Sequence, residues 1–308
     1  MDITPIRGEL AALSAACIWA LSSTVYAGVG RQIPPLTLNL LKGLAAVGFT
    51  LLTLAARQET PQISSASIGL LALSGAIGIG FGDTAFFESL NCLGARRGLL
   101  LEALAPPLSA LIAWLALGER LPPLAYLGIL LTVGGVSWVV VERTPSPSAA
   151  PGSASAAELH LPDTLLVRGI FFGGLAALAQ ASGAVMSRAA LAKTAVSPLW
   201  SSLIRIVAGC IVLVLWLRVQ PQSGRFKVLR SPRLMALVIA TAFASTFLAV
   251  WLQQTSLKYA ATGVAQAIGA TSPLFVIPVA LLLGDRVSPR AILGVVVALA
   301  GVSLLFMA

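Results

Sequence analysis

Glu102–Ser137 reads EALAPPLSALIAWLALGERLPPLAYLGILLTVGGVS: an apolar run opened by a proline pair, a Gly-Glu-Arg turn, then a second apolar run with a Gly-Gly pair. Moved forward by 166 residues it recurs over Ile268–Ser303 as IGATSPLFVIPVALLLGDRVSPRAILGVVVALAGVS. From Leu117 to Ser137, ten of 21 positions are identical at that one offset with no gap: Leu117, Gly118, Arg120, Pro123, Ala125, Leu127, Gly128, Gly135, Val136 and Ser137. Shared leucine and alanine bias would give roughly two matches, so the chain carries an internal repeat, and a repeat decides architecture before any single element does.

The surroundings of the repeat are written for lipid. Hydrophobic residues make up 57% of the 308 and charged residues 10%, with a mean hydropathy of +0.93. A soluble chain carries about 25% charge. The apolar residues come in spans of roughly 20, the length that crosses a bilayer core. The first half offers Leu10–Gly30, Leu36–Ala56, Ile68–Leu90, Gly98–Leu117 and Leu124–Val141; the second offers Leu165–Ser187, Leu199–Leu217, Leu234–Leu257, Val264–Leu283 and Ala291–Met307. The first span, with Arg7 before it, could imitate a secretory leader, but the second half opens on a similar span and both read as retained helices. Between the halves, Glu142 to Asp163 turns to Pro, Ser, Ala and Gly and holds His160, the only histidine; it reads as a flexible linker. The expected fold is an all-α integral membrane protein of ten transmembrane helices, with five-helix repeats at 8–141 and 165–307 and the linker at 142–163. Five is odd, so the two copies must insert in opposite orientations.

Charge and cysteine content exclude several classes. The net charge is +9, but the basic residues stand singly between apolar spans, where loop charges set topology; nucleic acid is not the partner. Cys17, Cys92 and Cys210 lie in or beside spans without metal or disulfide spacing and read as buried thiols. No cofactor and no metal is expected.

The repeated motif resembles that of the drug/metabolite transporter superfamily, in particular its ten-helix members with two EamA-type domains. It stands as Pro107, then Leu117-Gly118-Glu119-Arg120-Leu121, Gly128 and Gly135-Val136, and again as Pro273, Leu283-Gly284-Asp285-Arg286-Val287, Gly294 and Gly301-Val302. The family's third-helix pattern looks present as Leu257-Lys258-Tyr259-Ala260 and more loosely as Leu90-Asn91-Cys92-Leu93. The resemblance covers nearly the whole chain apart from the linker. It implies a carrier working by alternating access, multi-pass in the cell membrane, with both termini cytoplasmic and no substrate specified. Loop charge disagrees: with a cytoplasmic amino terminus the inner loops hold six basic residues and the outer loops twelve, which favours both termini outside. A monomer is expected, with a homodimer as the alternative. The Gly-Glu-Arg and Gly-Asp-Arg turns read as structural, an acid–base pair tightening a short loop. The later glycines read as close helix contacts.

Apart from Arg168, counted with the loop charges at the start of the sixth span, five ionisable residues interrupt the spans: Lys42, Asp83, Glu88, Glu102 and Arg205. A charge near mid-bilayer costs about 2.5–3.5 kcal/mol on insertion scales, so such residues face a cavity or one another. Aligning Pro35 with Pro198, an offset of 163, sets Lys42 opposite Arg205; at 166, Glu88 falls opposite Gln254, and Glu102 opposite Ile268 with Gln266 close by. Equivalent positions of an inverted repeat gather round a pseudo-two-fold axis, near the midplane site of such carriers. Lys42, Arg205, Gln254, Gln266 and Trp19 are therefore the expected substrate-binding residues. Lys42 and Arg205 would hold an anionic group or be neutralised by Glu88 or Glu102, and those two acids are the candidates for proton coupling. The bland reading is a set of internal ion pairs that fix helix packing, with Trp19 as packing. A membrane-embedded enzyme would need converging His, Asp, Cys or metal ligands, and the helices carry no such cluster, so no catalytic residues are expected. The function expected is secondary-active transport of a small metabolite; the alternatives are a lipid or lipid-linked sugar flippase and a channel.

Overall fold

A computed structural model describes residues 6–29, 33–93, 98, 101–141, 163–219, 231–272, 274–275 and 288–307. The linker (except Asp163), Pro273 and the Gly-Asp-Arg turn of the second copy lie outside them. The described residues are helical and carry no strand. In chain order α1 is Arg7–Val29 and α2 is Pro35–Arg57; α3 runs as Ser65–Gly75, a π-helical segment Ala76–Gly82 and Asp83–Leu93; α4 is Ala105–Leu117 and α5 is Pro123–Val141. The second half repeats this plan. There α6 is Asp163–Leu191, α7 is Pro198–Val219, α8 runs as Pro232–Ala242, a π-helical segment Phe243–Leu248 and Ala249–Tyr259, α9 is Thr262–Gly269 and α10 is Pro289–Met307. Seven of these helices are long and apolar enough to cross a bilayer, among them Leu36–Arg57, Pro198–Val219 and Pro289–Met307.

The boundaries follow from local chemistry. Proline opens α2, α5, α7, α8 and α10, where its missing N–H would be unpaired anyway. Ser64 accepts from the Ser67 backbone N–H at 3.2 Å and starts α3. Gly118, at φ +66°, ends α4: its N–H bonds to Trp114 O and that of Glu119 to Ala113 O, both at 3.2 Å. That left-handed cap turns the chain and sets the direction in which Glu119 points.

The fourth span differs from its expected Gly98–Leu117. Leu101 and Glu102 are helical, Ala103 and Leu104 form a turn, and the helix restarts at Ala105. Pro106 and Pro107 cannot donate back to Glu102 and Ala103, so the helical ladder breaks there. The same break recurs in the second half, where α9 ends at Gly269 and a turn occupies Ala270 and Thr271, just ahead of Pro273.

The inversion is legible in how α5 and α10 cross. A Cβ placed on Gly128 would meet Gly301 O at 3.0 Å, and one on Gly135 would meet Ala298 N at 2.5 Å and Gly294 O at 2.6 Å. Advancing along α5 therefore means retreating along α10, and each residue faces its partner's repeat counterpart. Such pairing defines a two-fold axis perpendicular to both helices and hence in the membrane plane. The second crossing, α2 with α7, obeys the same rule: Leu36 packs with Leu213 and Leu217, and Leu54 lies with Leu199. Likewise α3 packs on α6 and α7 as α8 packs on α1 and α2. Small residues make these approaches possible where lipid supplies no hydrophobic drive between helices.

Candidate functional site

Gly43 of α2 abuts Cys210 and Ile206 of α7. At the 163-residue offset Ile206 is the counterpart of Gly43 itself, so the pseudo-two-fold axis passes beside this contact. Lys42 and Arg205 each lie within about one turn of it. Both cations interact electrostatically with Asp83, which follows the π segment of α3, and Asp83 in turn with Glu102 at the break before α4. Lys42, Asp83 and Glu102 are of intermediate accessibility.

Arg205 is the most enclosed of the charges, 3% exposed, and its Nε and Nη1 have no hydrogen-bond partner. It sits where α7 meets the π segment. A Cβ on Gly78 would come 3.4 Å from Arg205 Nη2 and 3.7 Å from Gln180 Oε1, ordinary contact distances, so the glycine leaves room for about a methyl group beside the guanidinium. The three ion pairs among the described residues are Arg57–Glu59, Arg168–Glu88 and Arg188–Glu119; none includes Arg205. A guanidinium does not shed its proton, so its charge stays buried and needs an anionic or acceptor partner.

One turn along the same face of α7, Ser201 Oγ donates to Gln254 Oε1 at 2.8 Å. Gln254 is fully buried and its Nε2 has no partner. Lys42 Nζ donates to Asn39 Oδ1 at 3.4 Å, and the Asn39 Nδ2 is left without a partner, as is Glu102 Oε2. Gln266 lies in α9 ahead of that helix's break and keeps intermediate exposure.

Trp19 Nε1 donates to the Ser245 backbone carbonyl at 3.0 Å. That carbonyl belongs to the π segment of α8, where the i→i+5 winding disturbs the regular ladder. The two-fold-related α6 places Gln180 beside Gly78 of the other π segment. Glu88 lies elsewhere: it pairs with Arg168 at 2.7 Å, with side chains 32% and 58% exposed, away from Lys42 and Arg205. Sequence reasoning takes Asp83 only as one of the charges interrupting the spans and Gln180 only as one of the polar residues of the opposing first helices, without placing either near Arg205. The signal for both was the glycine run Gly78-Ile79-Gly80-Phe81-Gly82 just before Asp83, an unusual sequence inside a span.

A second polar node ties the two halves at the face where α4 ends. Glu119 Oε1 takes Arg188 Nε at 2.6 Å, and Glu119 Oε2 takes the Thr262 N–H at the start of α9 at 3.0 Å. Arg188 Nη1 also donates to Leu257 O at 3.0 Å and Lys258 O at 2.8 Å, the last carbonyls of α8. Instead of tightening its own turn, the glutamate of Gly-Glu-Arg joins α4, α6, α8 and α9. Nearby, Ser197 Oγ donates to Glu59 at 2.9 Å, Lys258 Nζ to Val196 O at 2.7 Å, and Arg7 stacks over Tyr259 at 4.6 Å.

An inverted pair of five-helix bundles, with interrupted helices and charges gathered at the axis between them, is the build of a membrane transporter. The chain belongs to the EamA-like transporter family, which it matches over residues 6–141 and 167–307. It is 30% identical over 139 residues to the uncharacterised protein PA1977 of Pseudomonas aeruginosa, covering 45% of this chain and 47% of that protein. The match thus spans about half the length of that curated relative. A solved structure described only as the crystal structure of a protein superposes with a TM-score of 0.75 over 96% of this chain and 95% of its own, at 16% identity. That likeness speaks for the fold alone.

Proposed function

We propose that the protein is a secondary-active carrier for a small metabolite in the cell membrane, working by alternating access around the α2–α7 axis. The observation that carries this reading is the enclosed Arg205, with Nε and Nη1 unpartnered, beside the close contact of Gly43 with α7 where two inverted halves cross. Lys42, Arg205, Gln254, Gln266 and Trp19 are the proposed substrate-facing residues. The unpartnered atoms of Arg205 and Gln254 support this role for those two. Glu102 is the proposed coupling acid; the Arg168 pair supports a structural role for Glu88.

Alternation requires each face to close in turn. The node formed by Glu119, Arg188, Thr262 and the carbonyls of Leu257 and Lys258 closes the face that holds the start of α1. It would part when the halves rock to expose the cluster on that side.

Counterflow in proteoliposomes tests the carrier reading. Unlabelled substrate inside will accelerate entry of labelled substrate in a carrier. Entry that is indifferent to trans substrate would instead indicate a channel and sink the proposal.

A further inference from the structure

We infer that the central site takes a substrate bearing a compact oxyanion, a carboxylate or a phosphate, seated on Arg205 beside the π-helical segment of α3. The inference rests on the carrier reading above for its transport role, and on three observations for its chemistry. Arg205 is 3% exposed and presents two N–H-bearing nitrogens, Nε and Nη1, that no protein acceptor meets. Nothing in the sequence obliges an arginine here: the neighbouring turns of α7 are Leu203, Ile204, Ile206 and Val207. A buried, permanently charged group with unused donors matches an oxyanion, whose oxygens accept charge-assisted bonds, better than it matches a cation or an apolar amine.

The second observation is the bare backbone opposite. Gly78 lies so that a methyl group there would come 3.4 Å from Nη2, and the Gln180 carbonyl oxygen stands at the same spot. Gln180 makes no hydrogen bond to the guanidinium, and Nε and Nη1 stay uncommitted. Gly78 keeps the adjoining volume free. Third, Lys42 is the repeat counterpart of Arg205 and lies on the other side of the axis, so a second cation faces the same centre. Asp83 interacts with both cations without forming an ion pair to Arg205, which leaves the guanidinium room for an exogenous anion. The two acids also allow the bound molecule to carry a cationic group. They set no requirement for one.

The experiment uses the full chain in lipid nanodiscs and matched probes: benzoate against benzamide, leucine against leucinamide, and glycerol 3-phosphate against glycerol. Binding is read by isothermal calorimetry, and folding by circular dichroism. At least one acid is expected to bind more than tenfold tighter than its neutral partner, and the pair that responds distinguishes carboxylate from phosphate. Arg205→Gln is expected to remove that preference, Arg205→Lys to weaken it by about tenfold or more, and Gly78→Ala to weaken it while leaving all charges in place. Gly78→Ala keeps the test decisive should the Arg205 variants fail to fold. An absence of acid-over-neutral preference in the native protein overturns the proposal, as does a preference that survives in folded Arg205→Gln or in Gly78→Ala. An acid that binds through Arg205 but shows no counterflow would leave the seat standing and refute the carrier reading. A cation that counterflows equally well with Arg205→Gln would do the reverse.

Discussion

Gln254 and Arg205 share a stripe of α7 contacts and differ in what substitution will reveal. The Gln254 amide has one oxygen engaged by Ser201 and one nitrogen without a partner. An unpartnered buried donor costs about 1–3 kcal/mol, comparable to what the Ser201 bond returns. Gln254→Leu is therefore expected to shift stability by less than about 1 kcal/mol, read as melting temperature, while uptake falls at least tenfold. Unchanged uptake would make Gln254 a packing residue. The acids divide in the same way. Glu102→Gln is expected to abolish uptake driven by a pH gradient, whereas Glu88→Gln leaves it intact and merely frees the exposed Arg168. If both variants behave like the native protein, Glu102 carries no proton. Lys42 and Arg205 are conspicuous in the sequence because a charge inside an apolar span is rare. Glu88 and Asp83 looked alike in the sequence. Only the helix path, altered by the π segment between them and the rest of α3, decides that Asp83 meets the cations and Glu88 meets Arg168.

At the scale of elements, the apolar spans and the repeat were readable, and the irregularities inside them were less so. Hydropathy sees Gly98–Leu117 as one span, yet Pro106 and Pro107 split it, because two successive residues lack the N–H that the preceding turn needs. The proline pair carries that information, although in the sequence it reads first as the opening of the repeated motif. The π segments at Ala76 and Phe243 stand 167 residues apart, at matching places in the two halves; no composition rule locates Phe243–Leu248. Close crossings are a further element-scale property with a direct test. Gly135→Val would drive a branched side chain into the backbone of Gly294 and Ala298, and overpacking costs about 1–3 kcal/mol. A lower melting temperature is expected, with Gly134→Val, which meets nothing within 4 Å, as the control. Equal melting for the two would refute the crossing geometry. The Glu119 node extends this reasoning, since Arg188→Gln removes a pair whose side chains are each 17% exposed. It is expected to lower stability by about 1–2 kcal/mol, less than the loss of a fully buried pair. It is also expected to speed maleimide labelling of cysteines placed at the ends of α8 and α9. Unaltered labelling would show that the node does not hold that face shut.

For the molecule as a whole, parity and contact agree on one point that charge counting left open. The start of α1 meets Tyr259 and Ala260, Glu59 meets Ser197, and Glu119 meets Arg188 and Thr262, so connections separated by an even number of spans share a face. Leu305 near the end of α10 clusters with Ala12 and Ala125, bringing both ends of the chain to that face. Reporter fusions at the two termini are therefore expected to give the same answer, whichever side it is. Opposite answers would require a different number of crossings.

The two-fold axis relates the halves, but the sequence does not repeat the arginine of the Glu119 node. At the 163-residue offset Arg188 corresponds to Val25, and the residues on either side, Thr24 and Tyr26, are no more basic. A rocking bundle built from identical halves would populate its two closed forms equally, like a balanced seesaw. Here the node at one end draws on an arginine that the first half does not repeat at the matching position, and a bias of about 1.4 kcal/mol already makes one population tenfold the other. On the proposed alternating-access reading, the resting pose, and with it the side from which a substrate would first meet Arg205, is weighted by this departure from symmetry at the Glu119 node.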